Sequence, residues 1–383
     1  MCEEPCMILN GRRIVVVLAI LGILCISHVI HGQASSRSEP GQYLDNVLPA
    51  PIDGGFRMDG FWVWGSSVIR GEDGSYHMYV SRWPGILPFH PGWMVASEIV
   101  HAVSTTPEGP YQFSDIALPA RGAQYWDGRS THNPRIARYK DTYVLFYMGS
   151  THPFDEINDS ALLTLESPYT TVARSNKRIG IATSKNPYGP WERRSAPILD
   201  TKPDTFYSFL VSNPSPWINE DGSVLLVFKS RAYGNAFPYH GAMAIGVAMA
   251  THFEGPYRVV DTPIFSKDHA GEVEDPFLWR DEKGFHLLVK DQRGGLTGRK
   301  HSGLVAHSGD GIQWELARNP LAYTKTVRWA DGTVQEMGQL ERAFGLIQEG
   351  KLTHLFFATM DGPGGFNNAT RSWNMVIPLK ADK

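Results

Sequence analysis

Cysteine is scarce and confined to one end: Cys2, Cys6 and Cys25 are the three cysteines of a 383-residue chain. If that end is removed, no disulfide, thiol nucleophile or thiolate metal site remains. A cysteine-free exported chain suits a bacterial origin. Excess charge of one sign is also missing. The formal net charge is −3 and no basic block follows Arg13, so nothing marks the chain as a nucleic-acid binder. Long apolar runs are absent too: the stretch from Ile14 to Ile26 holds about 13 residues, where a membrane span needs about 20. There is no H-E-x-x-H or C-x-x-C metal spacing, no G-x-S-x-G elbow with suitable partners, and no phosphate-binding glycine loop opening a helix. The fourteen histidines leave an axial divalent cation conceivable, but no metal or cofactor is predicted.

What is present is apolar and aromatic content, 42% and 11%, enough for a large packed core. A phrase also recurs: HAVSTTPEGPY ending at Tyr111, GIATSKNPYGPW at Trp191, GVAMATHFEGPY at Tyr257 and, more loosely, LVAHSGDGIQW at Trp314. Each echo follows a strand, a polar turn and an aromatic-rich strand, as in SSVIRGEDGSYHMYVSRW from Ser66, NPRIARYKDTYVLFYMGS from Asn133, NPSPWINEDGSVLLVFKS from Asn213 and DPFLWRDEKGFHLLVKD from Asp275. A fifth copy starts at Arg342 and leads into the strand-like SWNMVIPL. Repeats of this length are supersecondary units that must stack to bury their faces. Hairpins in fivefold repetition predict an all-β, five-bladed β-propeller over 43–383. The uneven spacing lies in Thr151 to Ser175 and Asp200 to Ser212, insertions expected to shape one face.

Arg12 and Arg13, the apolar run and the small, polar stretch from His31 to Ser36 have the layout of a secretory signal peptide. The expected organisation is therefore a leader over 1–32, a linker over 33–42 and the propeller beyond. This predicts a secreted or periplasmic protein without stable membrane insertion once the leader is removed, with a retained anchor as the alternative. Asn158-Asp-Ser and Asn368-Ala-Thr match the glycosylation pattern, which carries meaning only in a eukaryotic host.

In a propeller the first strand of each blade lines the axis, so polar residues at the five strand starts converge. Those starts contain Asp59 with Trp64, His132 with Arg135, Asn213, Glu274 with Asp275, and Glu341 with Arg342. Aromatic faces, amides and charges together form an inventory for binding sugar. Glycoside hydrolysis needs one protonated carboxyl to donate to the leaving oxygen and one ionised carboxylate to activate water or attack. Mutual repulsion among carboxylates is a way to raise one of their pKa values. Each residue also has a structural reading. Asp59 fits a turn cap before Gly60, Asp275 a strand-entry turn, Glu341 an ion pair with Arg342, His132 a satisfied structural histidine, and Trp64 blade packing. Lys290 fits a solvated pair with Asp291, and Trp126 to Arg129 fits a loop over the funnel mouth.

The five-blade order, SVIRGEDGSYHMY from Ser67, the GPY and GPW turns and EDPFLW from Glu274 resemble the five-bladed glycosidases of families 43 and 32, and especially the family 117 type acting on neoagaro-oligosaccharides. The likeness spans about Tyr43 to the C-terminus. It implies exo-acting hydrolysis of an algal or plant-wall oligosaccharide, often with inversion, by acids from three blades. Carried over by position, Asp59 is the blade-one base, and Asp275 and Glu341 are the later acids. Family 43 places an aspartate where this chain has Gly65-Ser66, and its blade-three aspartate falls near Asn213. A histidine has been a candidate acid in the family 117 type, which adds His132 and His307. Trp64, Arg135, Asn213, Glu274, Lys290 and Arg342 complete the expected substrate contacts. The replaced acids at Gly65 and Asn213 keep a non-catalytic carbohydrate-binding propeller as the alternative. A lyase or phosphorylase is a third reading, with only Arg135, Lys290 and Arg342 as evident phosphate ligands.

Overall fold

The computed structural model describes residues 46–157, 159–268 and 271–380. The expected leader, the whole expected linker, all three cysteines and Asn158 lie outside the described residues. Five antiparallel sheets follow one another along the chain, as the repeat predicts. Their innermost strands are Phe61–Arg70, Ser130–Tyr139, Leu210–Ile218, Val273–Asp281 and Gln339–Gln348, in blades 1 to 5. Within each blade the chain steps outward by hairpins, so strands pair with their predecessors, except that the short strand Phe265–Ser266 of blade 3 pairs with His240–Ala250.

The turn chemistry works as its composition suggests. In blade 1, Asp73 Oδ1 accepts from the Ser75 amide at 3.0 Å, and Gly74 supplies the left-handed conformation at φ 84°. The GPY echo folds back on itself: the Tyr111 and Tyr257 hydroxyls donate to the carbonyls of Pro107 and Phe253, four residues upstream, at 3.0 and 2.9 Å. Trp314 does the same through Nε1 to the Gly311 carbonyl at 3.0 Å. The loose fourth echo is thus a physical equivalent of the others.

Blade 5 has only three strands of its own. Its outer edge is taken by the segment that enters blade 1: Phe56 exchanges backbone bonds with Asn374 at 2.8 and 2.9 Å, and Leu48 donates to the Pro378 carbonyl at 2.8 Å. This closes the ring and covers an edge that would otherwise be open to pairing.

The apolar core lies in layers between adjacent blades. Phe146, Val211, Leu226 and Phe228 fill the gap between blades 2 and 3, and Val227, Ile245, Leu278 and Leu287 that between blades 3 and 4. Each fully buried side chain of this size contributes roughly 1.5–3 kcal/mol. Two short helices, Phe89–Ala96 in blade 1 and Pro168–Ser175 in blade 2, pack on each other through Met94, Leu163 and Ala173. The second belongs to one of the insertions singled out in the sequence. Among the described residues no helix is long and apolar enough to cross a membrane.

Candidate active site

Every innermost strand is broken toward its start by a bulge, where the pairing register skips, and blade 5 skips once more between Leu346 and Ile347. The residues at the breaks are Gly65, Asn133, Asn213, Asp275 and Arg342, and all five are left-handed, with φ between 50° and 58°. Glycine, asparagine and aspartate reach that region most readily, which explains four of the five identities. In three blades the next residue is proline, Pro134, Pro214 and Pro276, which has no N–H for a ladder and is tolerated at bulges. Bulges re-aim side chains. Here they form a hydrogen-bonded chain across the axis: Asn133 Nδ2 donates to Asn213 Oδ1 at 2.8 Å, Asn213 Nδ2 to Asp275 Oδ1 at 2.9 Å, and Arg342 Nη1 to the same oxygen at 3.0 Å. Gly65 is the fifth member. A Cβ there would lie 3.2 Å from Asn133 Oδ1 and 3.3 Å from Arg342 Nε.

Above this chain lies a cavity of about 310 Å³, lined among others by Trp64, Trp83, His132, Glu274, Asp275, Lys290, Glu341 and Arg342. Lys290, only 2% exposed, is its electrostatic centre. Its ammonium lies 3.0 Å from Glu274, 2.9 Å from Glu341 and 3.4 Å from Asp275. Glu274 is gripped a second time, by Lys229. The environments of the carboxyl groups diverge. Burial pushes Glu341 up to about 7; Lys290 opposes this, and the negative charges of Asp275 and Glu274 reinforce it. Burial also acts to raise Glu274, but Lys229 and Lys290 outweigh it and hold that carboxyl well below its ordinary range. Lys290 is driven down by burial and more than restored by its three carboxylates, so it stays charged.

His132 stacks on Trp93 with ring centroids 4.8 Å apart, and its Nδ1 pairs with Ser97 Oγ at 2.7 Å. Burial, then Arg342 and Lys177, hold it well below the usual histidine range, so the ring is neutral and Nε2 remains for a ligand. Trp64 meets Phe89 edge-on with centroids 4.9 Å apart and also reaches the cavity, so packing and lining coexist in one side chain.

Eight of the sequence-predicted residues therefore come together: Trp64, His132, Asn213, Glu274, Asp275, Lys290, Glu341 and Arg342. Three do not. Asp59 is exposed in the turn before the first strand and lines a different cleft, with Trp62, Trp329 and Trp373. The blade-one axial position belongs to Gly65, and Asp59 lies too far back along the chain to replace it. Arg135 sits beneath the cavity, donating to the carbonyls of Ser66 at 2.9 Å and Ala343 at 3.0 Å, and so ties blades 1, 2 and 5 together. His307 lies on the third strand of blade 4 and pairs with His286 at 2.8 Å, which in turn meets Asp281 at 2.8 Å. Trp126 to Arg129 does not cover the funnel: Asp127 is fully buried, bonded by the Tyr147 hydroxyl at 2.7 Å and paired with Arg121 and Arg193. Glu272, part of the same acidic run as Glu274, turns away to the Met243 amide and Arg293.

Sequence reasoning missed Trp83, Trp93, Arg174, Lys177, Lys229 and Arg231, all of which line the cavity. Lys229 had a signal: LLVFK in blade 3 and HLLVK in blade 4 end on lysine in corresponding strands. The metal question has a local answer in the donor set. Arg342 and Lys290 stand where an axial cation would sit, and among the described residues no group of three or more histidine and acidic side chains is placed to hold one.

No protein-family model and no curated protein matches this chain. Solved structures do match it. Zg3597, a family 117 glycoside hydrolase of the marine bacterium Zobellia galactanivorans, superposes with a TM-score of 0.60 at 17% identity, covering 88% of this chain and 90% of that one. CoXyl43, a family 43 β-xylosidase/α-arabinofuranosidase from a compost microbial metagenome solved with xylotriose, gives 0.55 at 14% identity, covering 88% and 96%. An endo-arabinase of Bacteroides thetaiotaomicron gives 0.53 at 12%, covering 86% and 98%. The chain shares the five-bladed propeller fold of these glycoside hydrolases.

Proposed function

We propose that the chain is a glycoside hydrolase that cleaves an oligosaccharide in the axial cavity. The observation that carries this reading is the divergence of neighbouring buried carboxyls around Lys290. Glu341, pushed up to about 7, holds its proton at mildly acidic pH, while Glu274 is kept ionised. Carboxyls driven apart in this way mark acid and base roles. In this reading Glu341 is the general acid that protonates the leaving oxygen. Asp275 is the carboxylate that activates water or attacks: Asn213 and Arg342 fix its Oδ1, and its Oδ2 has only Lys290, at 3.4 Å. Trp64 provides an aromatic surface for the sugar, and His132 Nε2 a contact for a hydroxyl. A cavity of about 310 Å³ fits the end of a glycan better than an internal stretch, which supports exo-action. The leader layout supports export to the periplasm or medium, checked by N-terminal sequencing of the mature protein.

The test is chromatographic detection of released sugar from agar, carrageenan, arabinan, xylan and pectin oligosaccharides, with Asp275→Asn run alongside. Release that disappears in the variant supports the hydrolase. A second reading, a carbohydrate-binding propeller, is favoured by one observation: a single lysine pairs with all three axial carboxylates. Binding without release from any substrate would put it first.

A further inference from the structure

The acid–base reading leaves one wall of the cavity unused. Arg174 ends the helix Pro168–Ser175, Lys177 follows it, Lys229 and Arg231 come from the strand Val224–Tyr233, and His240 opens the strand His240–Ala250. All five line the cavity between blades 2 and 3. Lys229 is matched by Glu274. Among the described residues no carboxylate lies within 4.0 Å of Arg174, Lys177 or Arg231.

Lys177 is the most telling member. It is 6% exposed, and its nearest compensation is the face of Trp93, with Nζ 4.0 Å from the ring centroid. A quadrupole is a weak counterweight to the desolvation of a whole ammonium. Burial, then Arg174, Lys229 and Arg231, hold its pKa well below the ordinary lysine value. Arg174 meets His240 Nε2 at 3.3 Å, and Arg231 Nη1 donates to the Gly241 carbonyl at 2.6 Å beside His240 Nδ1. Both guanidinium groups thus have neutral partners, which leave their charge without a counter-ion. Like charges gathered in a concave, water-poor wall are complementary to an oxyanion, and arginine forks match the oxygen spacing of sulfate and carboxylate.

We propose that this wall is an anion subsite and that the glycan entering the cavity carries an oxyanion substituent, a sulfate ester or a uronate carboxylate, seated on Arg174, Lys177 and Arg231. This rests on the carbohydrate reading above and specifies its substrate class. The aromatic and carboxylate side of the cavity then takes the sugar ring and the glycosidic bond, while the basic wall selects its charged neighbour. An anion beside Lys177 favours the charged form that burial and its cationic neighbours disfavour.

Titration calorimetry would compare neutral agar oligosaccharides, sulfated carrageenan oligosaccharides and oligogalacturonate of matched length. The expected result is that one anionic set binds about tenfold or more tightly than the neutral set. Lys177→Met and Arg174→Gln lose that preference; Arg174 is half-buried, so its variant serves if the lysine variant does not fold. Neutral glycans bound as well as anionic ones, or a preference that survives both substitutions, would overturn the subsite. So would turnover that requires inorganic phosphate and releases a sugar phosphate, which would assign the wall to a free anion. Hydrolysis confined to neutral glycans sinks the subsite and keeps the glycosidase. Selective, Lys177-dependent binding without bond cleavage keeps the subsite and sinks the glycosidase. No binding of any set at millimolar concentration overturns both.

Discussion

Replacing Glu341 by glutamine tests the central electrostatic argument without needing the substrate. Its carboxyl is lifted from an ordinary 4.5 to about 7 in the folded protein, chiefly by burial. Between those values the native state binds a proton that the unfolded chain has released, so stability falls as pH rises through that window. The stabilising contribution is fully present below about 4.5 and is lost above about 7. At 1.36 kcal/mol per pH unit, the cost of ionising Glu341 in place amounts to roughly 3 kcal/mol above neutral pH. Glutamine has nearly the same shape and does not ionise, and Lys290 keeps Glu274 and Asp275 as partners. The difference in unfolding free energy between Glu341→Gln and wild type should therefore shift in favour of the variant by roughly 3 kcal/mol between pH 4 and pH 8. Urea unfolding across that range measures it directly, with sugar release followed in parallel. A stability difference that stays constant with pH, or moves against the variant as pH rises, would refute the account of Glu341 as a carboxyl destabilised in its ionised form. Loss of turnover accompanied by the predicted gain in alkaline stability would mark a residue kept for chemistry at the expense of the fold.

Other outcomes follow from the same geometry. Turnover should fall on the alkaline side as pH passes about 7, where Glu341 loses its proton, and in Lys290→Met that limb should move to higher pH because a charge that opposes protonation is gone; a pH–rate profile decides, and an unmoved limb removes Glu341 as the acid. Asp275→Asn should abolish sugar release by several orders of magnitude in protein that still unfolds cooperatively; near-wild-type turnover would exclude Asp275. Asp59→Asn should retain wild-type turnover, since Asp59 lines a separate cleft; a severe loss would return the base to blade 1. Gly65→Ala, at φ 57° and with Cβ 3.2 Å from Asn133 Oδ1, should cost about 1–2 kcal/mol in unfolding free energy, and no loss would show that the axial chain is looser than its hydrogen bonds imply.

The fold was legible because a propeller repeats its local signals. Turn chemistry and hairpin order recur blade by blade, so each copy checks the others. The axial residues were legible for the same reason: Asn133, Asn213, Asp275 and Arg342 occupy one equivalent position, and the bulge that turns each inward is written as Asx-Pro in three of the blades. Asp59 does not share that position: Gly65 occupies the equivalent place in blade 1, and Asp59, earlier in the chain, lines a separate cleft.

The basic wall was hidden for a different reason. Arg174 belongs to an insertion and Lys177 closely follows it, so no sister blade repeats them, and each reads alone as an ordinary surface cation. Their meaning arises only when the insertion folds over the funnel and sets them beside Lys229 and Arg231, which lie more than fifty positions away and belong to another blade. On the proposed reading, the repeated framework fixes where bond cleavage is arranged, and the unrepeated segment decides which glycans reach it. This division predicts where propellers of the same fold should part in specificity. The residues at the bulges are constrained by left-handed backbone and by their bonds to one another, so few side chains fit there. The helix that carries Arg174 can change its charge while its contacts through Ala173 remain. Changes in the charge of the accepted sugar should therefore track the insertion and leave the axial chain intact.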